Sequence, residues 1–224
     1  MIVSRKTKIS AARQVSYFVI SILINALGNA LTVTLNLGSA LWTASAVNLS
    51  HLLPLSLAVI MAAEGVGLVI LNAIILGKIE WQRIAGNLLF VFPFSFLIGR
   101  MVVLLGFLHI TGLPLLVRII LDILGIVFIG IGISIYQRLN IILHPADDFM
   151  QILRFKFCRG HAAWAQLLSF TPPIMLLILT VSCGVPLAAI NIGTLFALLF
   201  QGSVVGIADK VVFPHLPHLR LGMN

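Results

Sequence analysis

Charge is what this sequence has least of. Only 9% of its 224 residues are charged and just six are acidic, whereas a soluble domain carries about 25% charged residues. That leaves too little polar surface to cover a water-soluble globule. Cysteine is almost as scarce: Cys158 and Cys183 are the two in the chain, too few for a disulfide framework. Enzyme signatures are missing as well. There is no G-x-S-x-G, no H-E-x-x-H, no Walker A lysine motif and no G-x-G-x-x-G after a strand, so neither an enzyme nor a cofactor is expected. The net charge of +8 comes without a zinc-finger, RNA-binding or helix-turn-helix pattern, which argues against a nucleic-acid partner.

What is abundant is hydrocarbon. The chain is 60% hydrophobic with a mean hydropathy of +1.15, so the bilayer is its solvent and lipid its first partner. A spanning helix needs about 20 mainly apolar residues. Six runs qualify, at 15–36, 54–76, 83–108, 115–137, 162–182 and 186–209. Pro93 in the third predicts a kink or tilt. The "SCGVP" step between the last two has the Gly and Pro expected where one helix ends and another starts. The basic N-terminus and the small residues at 26–30 look like a signal peptide. The apolar run continues through Leu37, however, beyond a signal core of roughly 7–15 residues, so a retained first span is expected.

The basic residues orient the chain. With the N-terminus in the cytoplasm, the inner segments hold Arg5, Lys6, Lys8, Arg13, Lys78, Arg83, Arg138, Arg154, Lys156, Arg159, Lys210 and Arg220. Only Arg100 and Arg118 fall towards the outer face. This asymmetry predicts a multi-pass cell-membrane protein with both termini cytoplasmic. It forms a single membrane domain, with tails at 1–14 and 213–224. Cys158 and Cys183 then lie on opposite sides and should not pair.

Two apolar runs end alike, in Leu35-Asn36 and Leu139-Asn140. A shift of 104 positions superposes them and also Gly28 on Gly132. A shift of 107 places Gly86 on Gly193, Leu88 on Leu195 and Gly99 on Gly206. Six spans divide into three and three, and an odd number per half makes the halves run in opposite directions. The expected fold class is therefore all-α: a polytopic membrane helical bundle of about six transmembrane helices in two inverted three-helix repeats, about 15–108 and 115–212. Secondary transporters commonly follow this plan, with the site at the repeat interface. After each Leu-Asn comes a semi-polar segment. The first, Leu37 to Leu53, is too polar to span and too apolar for a plain loop. It reads either as a short re-entrant helix, with Asn36 and Asn140 bonding freed backbone groups, or as an amphipathic surface helix anchored by Trp42.

Three stretches carry a family resemblance. "LNLGSALW" keeps a glycine, Gly38, and a tryptophan, Trp42, with Leu41 and Thr43 where a proline and an acid would stand. "GIGISIYQRLNIILHPADDFMQIL" places Pro145 and Asp147 in a Pro-x-Asp step followed by Met150. "NIGTLFALLFQGSVVG" supplies a late Gly193-Thr194. With these the chain resembles the bacterial YczE/YyaS/YitT-like integral membrane proteins. The resemblance implies a polytopic plasma-membrane protein, sometimes described as a permease, and brings no catalytic residues.

Charges inside spans cost roughly 2.5–3.5 kcal/mol at a helix centre, so each needs a reason. Glu64 sits near the middle of the second run among small residues. It is read as a binder of a proton, a cation or a cationic group, as a partner of Arg100 or Arg118, or as an inert, protonated acid. Arg118 and Asp122, four apart, share a helix face and are expected to form a local ion pair. Arg100 either snorkels to the interface or binds an anion. Glu64, Arg100, Arg118 and Asp122 together could form a buried network between the halves. The run from His144 to Asp148 has metal-capable side chains but falls in an expected cytoplasmic loop, where Pro145-Ala146-Asp147 can simply start a helix; no metal site is assigned. Asn25, Asn29, Asn72, Asn191, Thr194 and Gln201 add polar points. The candidate solute or ion ligands are thus Glu64, Asn36, Asn140, Arg100, Arg118, Asp122 and Asp147.

Two functions fit. One is a small transporter or permease subunit for a small solute or ion; so short a chain points to a homodimer or a membrane partner. The other is a non-transporting scaffold that assists another membrane protein through its 138–161 loop and small-residue faces.

Overall fold

The computed structural model describes residues 10–139, 141–159 and 161–216. Among these it is all helix: α1 (Ala11–Leu35), α2 (Leu41–Leu52), α3 (Leu57–Leu76), α4 (Trp81–Phe107), a 3-10 turn (Ile110–Gly112), α5 (Leu115–Leu139), α6 (Pro145–Lys156), α7 (Ala162–Ser169), α8 (Thr171–Ser182) and α9 (Ile192–Val211). Six stretches are long and apolar enough to span a membrane: α1, α3, α4, α5, the α7–α8 stretch Trp164–Ser182, and α9. They coincide with the six expected runs to within a few residues. Large apolar side chains such as Ile74, Leu104, Leu116, Met175 and Ile207 point outward, as helices solvated by lipid require.

Local chemistry sets the boundaries. Ser56 caps α3 by accepting from the Val59 N–H, and Gly77 ends it in the left-handed conformation, which glycine adopts at no steric cost. Thr171-Pro172-Pro173 opens α8, where the missing proline N–H groups are orphans anyway. α4 runs through Pro93 without interruption. The sixth span begins at Ile192, later than its hydropathy suggests. Residues 185–191 are not helical but docked. The Ala189 N–H donates to Asn36 Oδ1 at 2.9 Å. The Asn48 amide exchanges two bonds with the Ala188 backbone, at 2.6 and 2.9 Å. Asn36 thus does bond a freed backbone group. Asn140 lies outside the described residues.

α1 lies along α5. Gly28 meets the backbone of Gly125 and Ile129, and Gly132 meets that of Ser21 and Asn25; the order shows that the two helices run antiparallel. α4 packs on α1, and α9 packs on α5. The two short helices cross between the halves: α2 contacts α3 and α8, and α6 contacts α7 and α3.

α2 is buried from Thr43 to Asn48. α2 is thus covered by other helices, and Trp42 packs against the cluster of Leu68, Phe149, Leu153 and Ala165. The 138–161 segment is not a plain loop either. It contains α6, with His144 as N-cap, Pro145 in the first turn and Asp147 and Asp148 at the positive end. Asp148 is 1% exposed; it accepts from Arg83 Nε at 2.9 and 2.8 Å, from Arg83 Nη2 at 2.5 Å and from Asn87 at 2.8 Å.

Candidate functional site

The α1–α5 pair forms one wall of a cavity of about 130 Å³. The short helices α2 and α6 and the spans α3, α4, α7–α8 and α9 supply the rest. Two carboxylates line it, Glu64 from α3 and Asp147 from α6, and none of the lining residues is Lys or Arg.

Glu64 is poorly satisfied. Its Oε1 lies 2.9 Å from Ser45 Oγ, which is also 2.8 Å from the Trp42 carbonyl. One hydroxyl hydrogen serves both, while a carboxylate offers about four acceptor positions. Asp147 is better held. Tyr136 donates to its Oδ2 at 2.5 Å and Gln137 to its Oδ1 at 3.3 Å. Burial nevertheless pushes the Asp147 carboxyl up to about 6 against those bonds, and Asp148 beside it adds to the rise.

His144 lines the same space, its ring edge-on to Phe90 and Phe94 at 5.4 and 5.3 Å. Burial holds its pKa down to about 4, so the ring is neutral at ordinary pH. The Ala146 N–H donates to its Nδ1 at 3.2 Å, which puts the ring hydrogen on Nε2. On the opposite wall Thr43 donates to Asn29 Oδ1 at 2.6 Å and Asn29 donates to Asn25 Oδ1 at 2.7 Å. Gln166, Ser169, Thr194 and Gln201 add further polar atoms.

Of the residues chosen from the sequence, then, the cavity collects Glu64 and Asp147. Asn36 works at the α1 terminus instead. Arg100 is exposed and stacks 5.1 Å over the Phe96 ring. Arg118 donates through Nη2 to the Leu35 carbonyl at 2.7 Å. Asp122 is 2% exposed, lies against Gly193, and its Oδ1 has no hydrogen-bond partner. The expected Arg118–Asp122 ion pair is therefore not formed: the end of α1 offers Arg118 an unpaired carbonyl. Nor do Glu64, Arg100, Arg118 and Asp122 form a network, since each has different surroundings. Among the other polar points, Asn72 donates to the Pro145 carbonyl at 3.1 Å and Asn191 caps α9. The sequence reading missed Tyr136 and His144 as cavity residues, and Ser45 as the partner of Glu64. The signal available for the first two was their place on either side of the second Leu-Asn, within a stretch that mirrors the first.

A family model for DUF6198, a family of unknown function, matches residues 12–210. The chain belongs to DUF6198. No curated protein and no solved structure matches it. The DUF6198 match spans every helix that lines the cavity, so the site lies within the family's own domain rather than in an appendage.

Proposed function

We propose that this DUF6198 protein is a small transporter or permease subunit of the cell membrane, with both termini cytoplasmic and its solute or ion bound in the Glu64–Asp147 cavity. The cavity carries the reading. It holds two carboxylates and several amide and hydroxyl groups within a mainly apolar lining, lies among spanning helices, and is walled by both halves of the chain. Polar groups at membrane depth are costly and mark solute or ion paths. The resemblance to the YczE/YyaS/YitT-like membrane proteins, sometimes described as permeases, points the same way.

Part of the packing supports two inverted repeats around that cavity, although the α3–α4 contact has no counterpart of like extent between α7–α8 and α9. Let α1, α2, α3 and α4 correspond to α5, α6, α7–α8 and α9. The α1–α4 contact then has its counterpart in α5–α9, α2–α3 in α6–α7, and α2–α8 in α6–α3. Single residues follow. The shifts of 104 and 107 turn the contact of Gly38 with Gly193 into one of Ile142 with Gly86. A methyl group on Gly86 would lie 2.8 Å from Ile142 Cγ2, and one on Gly193 would lie 2.9 Å from the Gly38 carbonyl oxygen. The two contacts belong to opposite ends of the bundle, as an axis in the membrane plane requires.

A scaffold would need its small-residue faces for a partner. Gly28, Gly65, Gly86, Gly99, Gly125 and Gly132 are taken up by contacts within the chain, whereas Gly67, Gly106, Gly202 and Gly206 face open space and stay free for one. The deciding measurement is accessibility. With Cys158 and Cys183 replaced by serine, Met61→Cys and Leu68→Cys should react with a membrane-impermeant polar reagent in proteoliposomes, while lipid-facing Ile74→Cys should not. Complete protection of both cavity positions would leave the scaffold reading.

A further inference from the structure

We infer that the cavity takes a small organic cation, an amine or quaternary ammonium, with Glu64 and Asp147 as its counter-charges. The inference rests on the transport reading and names the solute class for the same site.

Charge comes first. The chain has fourteen basic residues and six acidic ones, yet two acids and no Lys or Arg line the cavity. A net charge of +8 overall makes that reversal pointed. In a medium of low dielectric, unit charges a few ångströms apart interact by several kcal/mol, so an anion entering here would meet repulsion with no compensating cation. His144 does not supply one, being held neutral.

Unfilled bonding capacity comes second. Among the described residues Glu64 has Ser45 alone as a hydrogen-bond partner, and that hydrogen is shared with the Trp42 carbonyl. A buried carboxylate in this condition calls for an external donor or cation. The wall then argues for an organic one. Trp42, Phe94, Tyr136 and Phe170 bring aromatic rings to the cavity, and aromatic faces attract ammonium groups within about 6 Å of the ring centroid. A divalent ion prefers about six oxygen ligands, whereas no three His, Cys, Asp or Glu side chains of the described residues gather at one point.

The test uses the purified full-length chain in detergent micelles at pH 8. Melting temperature is followed against methylammonium, tetramethylammonium and guanidinium chlorides, with tert-butanol, sodium acetate and potassium chloride as neutral, anionic and inorganic controls at matched ionic strength. At least one organic cation should give a saturable rise that none of the controls gives. Glu64→Gln and Asp147→Asn should each weaken the apparent affinity at least tenfold, and Arg100→Gln should leave it unchanged. Where a carboxylate variant fails to fold, the wild-type series alone decides. Saturation by acetate or tert-butanol in place of the cations overturns the solute class and leaves the transport reading intact. So does an absence of any saturable response from a protein whose Met61→Cys form is labelled. Protection of Met61→Cys and Leu68→Cys overturns the transport reading, and the inference falls with it.

Discussion

Arg83 of α4 and Asp148 of α6 form a two-pronged ion pair between the halves of the chain. Asp148 is almost wholly buried and Arg83 retains 22% side-chain exposure; Asn87 completes the carboxylate's bonding. Removing one partner strands a buried charge, which costs about 3–5 kcal/mol. Arg83→Ala should therefore destabilise by about 3 kcal/mol, at the low end because Arg83 is partly solvated. In a double-mutant cycle read by unfolding in mixed micelles, Arg83→Ala with Asp148→Ala should cost clearly less than the two single changes added together. Additive losses would mean that the pair does not hold α6 in place.

Gly38 has a φ of +134°, a conformation essentially closed to other residues, and a methyl group there would run into the backbone of Gly193 and Thr194. The Gly193 N–H also donates to the Leu37 carbonyl at 2.9 Å. Gly38→Ala should thus separate the start of α9 from the end of α1 and abolish recovery of folded protein. Gly77 also has a positive φ, +72°, but nothing lies within 4 Å of its would-be methyl. Gly77→Ala should cost only about 1 kcal/mol. Detergent-resistant yield and melting temperature compare the two; equal losses would count against the Gly38 crossing.

The spans were readable because membrane solvation acts residue by residue: lipid asks every outward side chain to be apolar, and hydropathy reports that directly. Glu64 was readable for the converse reason, as a lone acid in such a run. What hydropathy does not carry is pairing at a distance. Residues 185–191 are apolar enough to extend the sixth helix, yet Asn36 and Asn48, some 150 and 140 positions earlier, bond their backbone and hold them out of it. α6 looked like a water-exposed loop because it carries Asp147 and Asp148. Their neutralising partners, Tyr136 and Arg83, sit on other helices. The i, i+4 spacing of Arg118 and Asp122 misled for the same reason, since α1 offered a better acceptor than the neighbour in sequence.

Because Arg118 bonds the last turn of α1 rather than Asp122, the two residues should contribute separately. Arg118→Ala removes a charge-assisted bond to the Leu35 carbonyl and should cost about 2 kcal/mol. Asp122→Asn removes a buried carboxylate whose Oδ1 has no donor, and should leave the melting temperature unchanged or raise it. Their coupling in a double-mutant cycle should be under about 0.5 kcal/mol. A loss of about 3 kcal/mol in Asp122→Asn, with strong coupling, would restore the ion pair.

Asp147 and His144 give the cavity a pH signature of opposing parts. The Asp147 carboxyl is raised from 3.8 to about 6, so between those values the folded protein holds a proton that the unfolded chain has lost. Its contribution to stability is complete below about pH 4 and is lost as pH rises through about 6. His144 is lowered from 6.5 to about 4. Its contribution is complete above about 6.5 and is lost as pH falls through about 4. Each difference corresponds to on the order of 3 kcal/mol, and over pH 4–6 they oppose. The groups that face Asp147 are Tyr136 and Gln137 of α5, which bond it, Asp148, which is paired with Arg83, and Glu64, which shares the cavity from α3. Relative to the wild type, Asp147→Asn should make stability rise with pH from 4 to 6, and His144→Asn should make it fall. Cation binding should weaken as pH drops through about 6, because the Asp147 counter-charge is taken up by a proton while His144 stays neutral. Unfolding titrations of the two variants, with tetramethylammonium binding measured from pH 5 to 8, check both signs. Binding that strengthens as pH falls would show that Asp147 does not face the solute as a carboxylate.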